Sequence, residues 1–216
     1  MKEKLVKDTK EFVKRELHHA EGGHDWWHAL RVWKLACCIA PREKADLLIV
    51  EPAALLHDIA DAKFNAGNAE KGKKRVRDFL SSTPLPSGMI DDIITIVDGI
   101  SYRHGHANQR NRSREFMVVQ DADRLDAMGA IGIARTFNYG GYMGREIYNP
   151  AIQPETNMTL AGYRNHSAPT INHFHEKLLK LKDLMNTTTA RELAESRHVY
   201  MLEFLERFHG EWKGRM

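Results

Sequence analysis

Apolar side chains recur every three to four residues along most of the chain, which is the spacing of amphipathic helices. This spacing predicts helices over residues 5–17, 25–40, 46–56, 68–80, 89–100, 116–137, 170–185 and 189–212. Alternating strand patterns are few. The pattern therefore predicts an all-α fold class.

Three stretches interrupt or modify this pattern. Pro52 lies inside the third predicted helix and should either kink it or start a new helix. Residues 81–88, rich in serine and proline, predict a loop. Residues 138–169 contain several glycines, prolines and aromatic residues without a sustained period. An irregular segment of this length inside a compact domain is usually functional or mobile, and the sequence leaves its role open.

The composition indicates the general class of protein. The chain has 216 residues, of which 42% are hydrophobic and 28% charged, as in ordinary globular proteins. No apolar run approaches the roughly 18–20 residues that cross a bilayer, so no membrane partner is expected. The charged start of the chain does not resemble a secretory signal, so we expect a cytoplasmic protein. The adjacent Cys37 and Cys38 suit neither a structural disulfide nor a zinc site.

The net charge of +3 is mild, and the basic residues form only two short runs, 71–77 and 103–114. The first is typical of a solvated helix face, and the second could meet phosphates. Without a recognisable DNA-reading helix motif, neither run favours nucleic acid as a partner. The 12 histidines are more informative, because histidine is the commonest transition-metal ligand.

The candidate chemistry begins with His57 and Asp58, which directly follow the apolar run Ala53–Leu56. Two ionisable groups at the end of a buried helix cost several kcal/mol unless something satisfies them. A bound cation would do so, since imidazole and carboxylate are both good metal ligands. The alternative is a helix-terminal histidine beside a solvated aspartate.

Two further positions fit the same chemistry. His28 lies in a tryptophan-rich helix, where a core histidine is the alternative. Asp123 belongs to the acidic stretch 121–126 inside a sequence that otherwise reads as buried. On a helix Asp123 and Asp126 point the same way, whereas Asp121 points elsewhere.

The order His, His-Asp, Asp on successive helices resembles the HD superfamily of metal-dependent phosphohydrolases. Stretches 25–32, 55–59 and 121–126 carry this resemblance. Stretches 129–135 and 173–181 look like a small bacterial branch that includes nucleoside triphosphate pyrophosphohydrolases. The resemblance implies a single domain over residues 1–216, an HD-type helical bundle. Its metal-site core would span about residues 24–130, and a C-terminal helical extension would span about residues 138–216.

The resemblance also implies a metal site. His28, His57, Asp58 and Asp123 would hold one divalent ion. Two imidazoles and two carboxylates suit Mn²⁺, Fe²⁺, Co²⁺, Ni²⁺ or Zn²⁺, and Mg²⁺ stays open. Such an ion would generate hydroxide near neutral pH and offset charge on a phosphoryl group.

Other residues receive roles by the same resemblance. Asp61, one helical turn after Asp58, is the candidate general base or water-positioning group, with a surface aspartate as the alternative. Lys63, Arg103 and His104 are candidate phosphate contacts. For Arg103 and His104 the alternative is a pair of cations at a helix C-terminus.

The implied substrate is a small-molecule nucleotide. We favour hydrolysis of nucleoside or deoxynucleoside triphosphates to monophosphate and pyrophosphate. A 5'-nucleotidase or a phosphodiesterase would use the same metal site. A metal- and nucleotide-binding regulator without turnover is the alternative of another class, but a complete ligand set with Asp61 argues against it. The sequence leaves open whether the protein forms a homodimer.

Overall fold

The computed structural model describes residues 2–18, 24–61, 65, 68–100, 112–156 and 168–215. The helices are α1 Lys2–Glu16, α2 Trp26–Ile39, α3 Leu47–Leu56, α4 Ala69–Ser81, α5 Ser87–Ile100, α6 Arg114–Asp126, α7 Gly129–Tyr142, α8 Asn172–Glu176, the 3₁₀ helix Leu178–Leu184 and α9 Thr188–Trp212. Within those residues there is no strand, which confirms the all-α prediction. None of these helices is long and apolar enough to span a membrane.

Short polar side chains start several of these helices. Asp25 accepts a hydrogen bond from the backbone N–H of His28 at 2.9 Å and so caps α2. Asp46 caps α3 through Leu48 N–H at 2.8 Å. Asn68 and Thr187 cap α4 and α9 in the same way. Each such cap stabilises its helix by about 1 kcal/mol.

The chain divides into two compact units, Met1–Asp123 and Arg124–Met216. In the first unit α1, α2 and α5 pack on α3, which is buried from Ile49 to its end. The helix continues through Pro52, so no new helix begins there. The burial of α3 brings the residues that follow it, His57 and Asp58, into the interior of this unit. The single domain over residues 1–216 stays a prediction.

In the second unit α7 and the 3₁₀ helix pack on α9. The prediction of one helix over residues 116–137 is wrong, because α6 ends at Asp126 and α7 begins at Gly129. Gly129 has φ of 68°, a left-handed conformation that glycine adopts without the steric cost of a Cβ. A Cβ there would also lie 3.0 Å from Arg197 Cγ.

The prediction of one helix over residues 170–185 is also wrong. The segment forms the five-residue α8 and then a 3₁₀ helix, separated by Lys177 with φ of −137°. A 3₁₀ helix has three residues per turn, so it places Leu178 and Leu181 on the same buried side. The irregular segment predicted over 138–169 begins later than expected, since α7 extends to Tyr142 and residues 143–156 have no regular helix. Residues 157–167 lie outside the described part of the chain.

Candidate metal centre

The structure brings the four predicted metal ligands together in the first unit. His28 lies in the first turn of α2, His57 and Asp58 directly follow α3, and Asp123 lies in the last turn of α6. His28 Nε2 is 3.2 Å from His57 Nε2, 3.4 Å from Asp58 Oδ2 and 3.4 Å from Asp123 Oδ1. His57 Nε2 is 3.5 Å from Asp58 Oδ2 and 3.8 Å from Asp123 Oδ1. Four donor atoms from three helical regions therefore converge on one small volume.

These distances fit a shared divalent ion. Ligands about 2.1 Å from one ion are roughly 3.0 Å apart at neighbouring octahedral positions and roughly 3.4 Å apart in a tetrahedron. The five distances above run from 3.2 to 3.8 Å, close to both arrangements. The donor set, two imidazole nitrogens and two carboxylate oxygens, suits a divalent transition metal. The residues present therefore fit the ion that the sequence implied.

The orientation of His57 is also suitable for a ligand. Its Nδ1 lies 2.8 Å from the carbonyl oxygen of Ala54, which can only accept, so Nδ1 carries the proton and donates. In the neutral ring Nε2 then keeps its lone pair and faces the cluster. A hydrogen bond on the far nitrogen is how metal-binding histidines are usually held in the correct tautomer.

The electrostatics keep both carboxyl groups ionised. Burial alone would raise the pKa of Asp58, but His57 and the hydrogen bond from His24 hold that pKa well below its usual range. Burial likewise opposes ionisation of Asp123, and the hydrogen bond with His28 and the nearby His57 imidazole outweigh it and lower the pKa. Two ionised carboxylates beside buried imidazoles form an anionic site, which is what a cation requires.

His24 belongs to this cluster, and the sequence reasoning missed it. Its Nδ1 lies 2.9 Å from Asp58 Oδ2, and its ring meets that of His28 edge-on with centroids 5.4 Å apart. Donor atoms of His24, His28 and Asp58 form one group that could hold a metal, and those of His28, His57 and Asp123 form another. The signal in the sequence is the pattern His-Asp-x-x-His over residues 24–28, in which His24 lies four residues before His28 and directly before the helix cap.

The structure does not assign roles to the other predicted site residues. Asp61 follows the buried turn, and its N–H donates to Asp58 O at 3.0 Å. Its carboxylate role as general base stays a prediction. Lys63, Arg103 and His104 lie outside the described residues, so their roles as phosphate contacts also stay predictions.

A polar network holds the backbone between Asp58 and Asp61. The side-chain amide of Asn65 donates to Ile59 O at 2.9 Å and to Asp61 O at 2.8 Å. The amide oxygen of Asn65 accepts from Arg75 on α4, and Arg75 donates to Glu16 on α1 at 2.6 Å. Since a side-chain amide with all these partners has little freedom, the network fixes the path of the chain just after His57 and Asp58.

Gly72 lets α4 approach this network, and replacing it with alanine should destabilise the protein. A Cβ at Gly72 would lie 2.5 Å from Asn65 Nδ2 and 2.7 Å from both Ala60 Cα and Ile59 O. Backbone atoms cannot yield cheaply, so Gly72→Ala should lower the free energy of unfolding by about 1–2 kcal/mol despite the better helix propensity of alanine. Gly88→Ala is the matched control, because nothing lies within 4 Å of its Cβ position. Urea unfolding should show Gly88→Ala equal to or above wild type, and equal losses in both variants would contradict the steric argument.

The basic run 71–77 is a charged helix face in α4. Lys73 pairs with Asp98 at 3.0 Å, and Arg77 pairs with Asp91 at 2.8 Å. With Arg75 paired to Glu16, three cations of the run have acidic partners in the first unit. This arrangement agrees with the solvated helix face that the sequence indicated.

Comparison with known proteins defines the class. A family model of the HD domain matches residues 26–128, the range that contains all four converging ligands. The chain is 39% identical to the Bacillus subtilis protein YpgQ over 99% of this chain and 97% of YpgQ. It therefore belongs to the HD superfamily and is a metal-dependent phosphohydrolase, as the sequence predicted.

Solved structures agree over the whole length. An HD-superfamily hydrolase from Bacillus thuringiensis is 43% identical, with a TM-score of 0.79 and complete coverage of both chains. The structure of YpgQ in complex with ADP aligns with a TM-score of 0.74 and 35% identity over 95% of this chain and 97% of that one. The fold is thus common to this chain and these relatives, whereas the substrate is a separate question.

Proposed function

We propose that this protein hydrolyses nucleoside or deoxynucleoside triphosphates to the monophosphate and pyrophosphate. The observation that carries the proposal is the complete set of four converging ligands, His28, His57, Asp58 and Asp123, in a chain that aligns over nearly its whole length with an ADP-bound relative. ADP contains the base, ribose and first two phosphates of a triphosphate. A pocket for those groups beside the metal would suit the proposed substrate.

A divalent ion held by these four residues would supply hydroxide near neutral pH and offset charge on the attacked phosphorus. The chain's own residues would perform the remaining tasks. Asp61 accepts the proton of the attacking water, and its position just beyond Asp58 suits that role. Lys63, Arg103 and His104 bind the phosphate oxygens and stabilise the charge that develops on them. The water oxygen forms a bond to the α-phosphorus, the bond from that phosphorus to the bridging oxygen breaks, and pyrophosphate leaves.

The first experiment identifies the products. Metal-free protein is incubated with each dNTP, NTP and nucleoside monophosphate, with and without Mn²⁺, and the products are resolved as pyrophosphate or phosphate. Running the reaction in ¹⁸O-labelled water places the label in the monophosphate if the α-phosphorus is attacked. Metal-dependent pyrophosphate release with label in the monophosphate supports the proposal.

Replacing Asp61 tests the assigned general base. Asp61→Asn keeps the size of the side chain but removes the proton acceptor, so kcat should fall by about 10²–10⁴-fold while metal affinity changes little. Asp92→Asn, an exposed position on α5, is the control and should match wild type. Unchanged kcat in Asp61→Asn would show that Asp61 is not the base.

The alternatives give different outcomes. Phosphate release from monophosphates alone would indicate a 5'-nucleotidase, and cleavage of phosphodiesters alone a phosphodiesterase, with the same metal site in each case. Stoichiometric metal and nucleotide binding without turnover would indicate a regulator.

The proposal also includes manganese as the physiological ion, a cytoplasmic location and a homodimer. Metal analysis of protein purified without added metal, cell fractionation and sedimentation test them respectively.

A further inference from the structure

We infer that His24 is a positioning residue that holds the Asp58 carboxylate in the orientation needed to bind the metal. The inference rests on the metal centre and not on the identity of the nucleotide. It begins from the contact between His24 Nδ1 and Asp58 Oδ2, which are 2.9 Å apart.

The chemistry of the contact assigns its direction. An ionised carboxylate can only accept, so His24 Nδ1 carries the proton and donates it to Asp58 Oδ2. That same oxygen lies 3.4 Å from His28 Nε2 and 3.5 Å from His57 Nε2, which makes it the atom that faces the other ligands. A hydrogen bond to this oxygen fixes the rotation of the carboxylate about its terminal torsion, which is otherwise broad.

The fold holds His24 in place on two sides. Its ring packs edge-on against the buried ring of His28, at an interplanar angle of 84°. The next residue, Asp25, is the cap of α2 and has extended backbone geometry, with φ of −84° and ψ of 178°. One cap therefore determines both the start of the helix that carries His28 and the direction of the chain that carries His24.

Removing the hydrogen-bond partner of a metal ligand should measurably weaken metal binding. Residues that hydrogen-bond to metal ligands typically change metal affinity by 10–100-fold when they are removed, because the ligand must then be ordered at the moment of binding. His24→Ala should therefore weaken Mn²⁺ binding by about 10–100-fold while one ion per chain still binds at saturation.

His24→Asn separates positioning from direct ligation. The side-chain amide nitrogen of asparagine lies close to the location of Nδ1, so it can donate to Asp58, but a neutral amide nitrogen does not bind a metal ion. His24→Gln is the matched control, since its amide reaches toward the location of Nε2 instead. Mn²⁺ affinity is measured by competition with a chelating dye, and the absorption spectrum of the Co²⁺-loaded protein reports the ligand number. Circular dichroism of the metal-free variants checks that each one folds.

The expected result is near wild-type Mn²⁺ affinity for His24→Asn, weak binding for His24→Ala and His24→Gln, and the same Co²⁺ spectrum for wild type and His24→Asn. Equal affinity in His24→Ala and wild type would overturn the inference. So would weak binding in His24→Asn with a Co²⁺ spectrum that indicates one fewer nitrogen ligand, because His24 would then be a ligand itself. If wild type binds no metal, the metal centre fails, and His24 loses its role with it. Failure of the triphosphate assay alone leaves the inference intact.

Discussion

His57→Ala is expected to abolish hydrolysis and to remove most of the bound metal. His57 Nε2 lies within 3.8 Å of a donor atom on each of the three other ligands, so its loss opens one side of the site. The remaining imidazole and two carboxylates would hold an ion weakly and leave their negative charges poorly compensated. We expect kcat/KM to fall by at least about 10³-fold, which corresponds to about 4 kcal/mol of transition-state stabilisation.

The experiment pairs activity with metal content. Wild type and His57→Ala are loaded with Mn²⁺, passed over a desalting column and assayed for metal and for hydrolysis of the best substrate. His18→Ala, which changes an exposed histidine in the turn after α1, is the control and should retain both. Full activity in His57→Ala would contradict the metal site. Retained metal with lost activity would instead show that His57 acts on the substrate.

The second large effect concerns the stability of the second unit. Asp126 is almost completely buried, and its Oδ2 accepts a hydrogen bond from Arg135 Nη1 at 2.6 Å. The same Arg135 nitrogen also contacts the carbonyl oxygen of Asp126 at 3.3 Å. Removing one member of a buried ion pair leaves an uncompensated charge and typically costs 3–5 kcal/mol. Asp126→Ala should therefore lower the free energy of unfolding by about 3 kcal/mol or more.

A double-mutant cycle makes this prediction specific to the pair. Replacing both partners with apolar residues removes both buried charges, which is often close to neutral. The variant with Asp126→Ala and Arg135→Ala should therefore be more stable than the sum of the two single losses implies, with a coupling of about 1–3 kcal/mol. Urea unfolding followed by circular dichroism measures all four proteins. Additive losses would show that the ion pair is not the cause.

The amino-acid sequence determined much of the secondary structure. Apolar spacing and caps such as Asp25 and Asp46 placed most helices, because both signals are local and need no knowledge of distant contacts. It missed the break at Gly129, since an isolated glycine inside a helical pattern is usually tolerated. Here the left-handed conformation and the close approach of Arg197 require glycine.

The sequence also named the four candidate metal ligands, because imidazole and carboxylate groups next to buried apolar runs are costly without a partner and because their order resembles that of a known superfamily. Only the tertiary structure decided that these side chains meet. The packing of α2 on α3 brings His28 to His57 and Asp58, and α6 places Asp123 Oδ1 3.4 Å from His28 Nε2 and 3.8 Å from His57 Nε2. No local signal reports such convergence, because the four donor atoms are carried by three helical regions that are distant along the chain.

The dependence on tertiary packing also explains which contacts around the site the sequence did not predict. The contact between His24 and Asp58 joins residues 34 positions apart, and that between Asn65 and Arg75 joins a turn to α4. A histidine before a cap, or an asparagine in a turn, has the same local pattern with or without these partners. The sequence determined which groups can bind a cation, and the tertiary structure determined which groups orient them, because orientation depends on distances that only the packed chain defines.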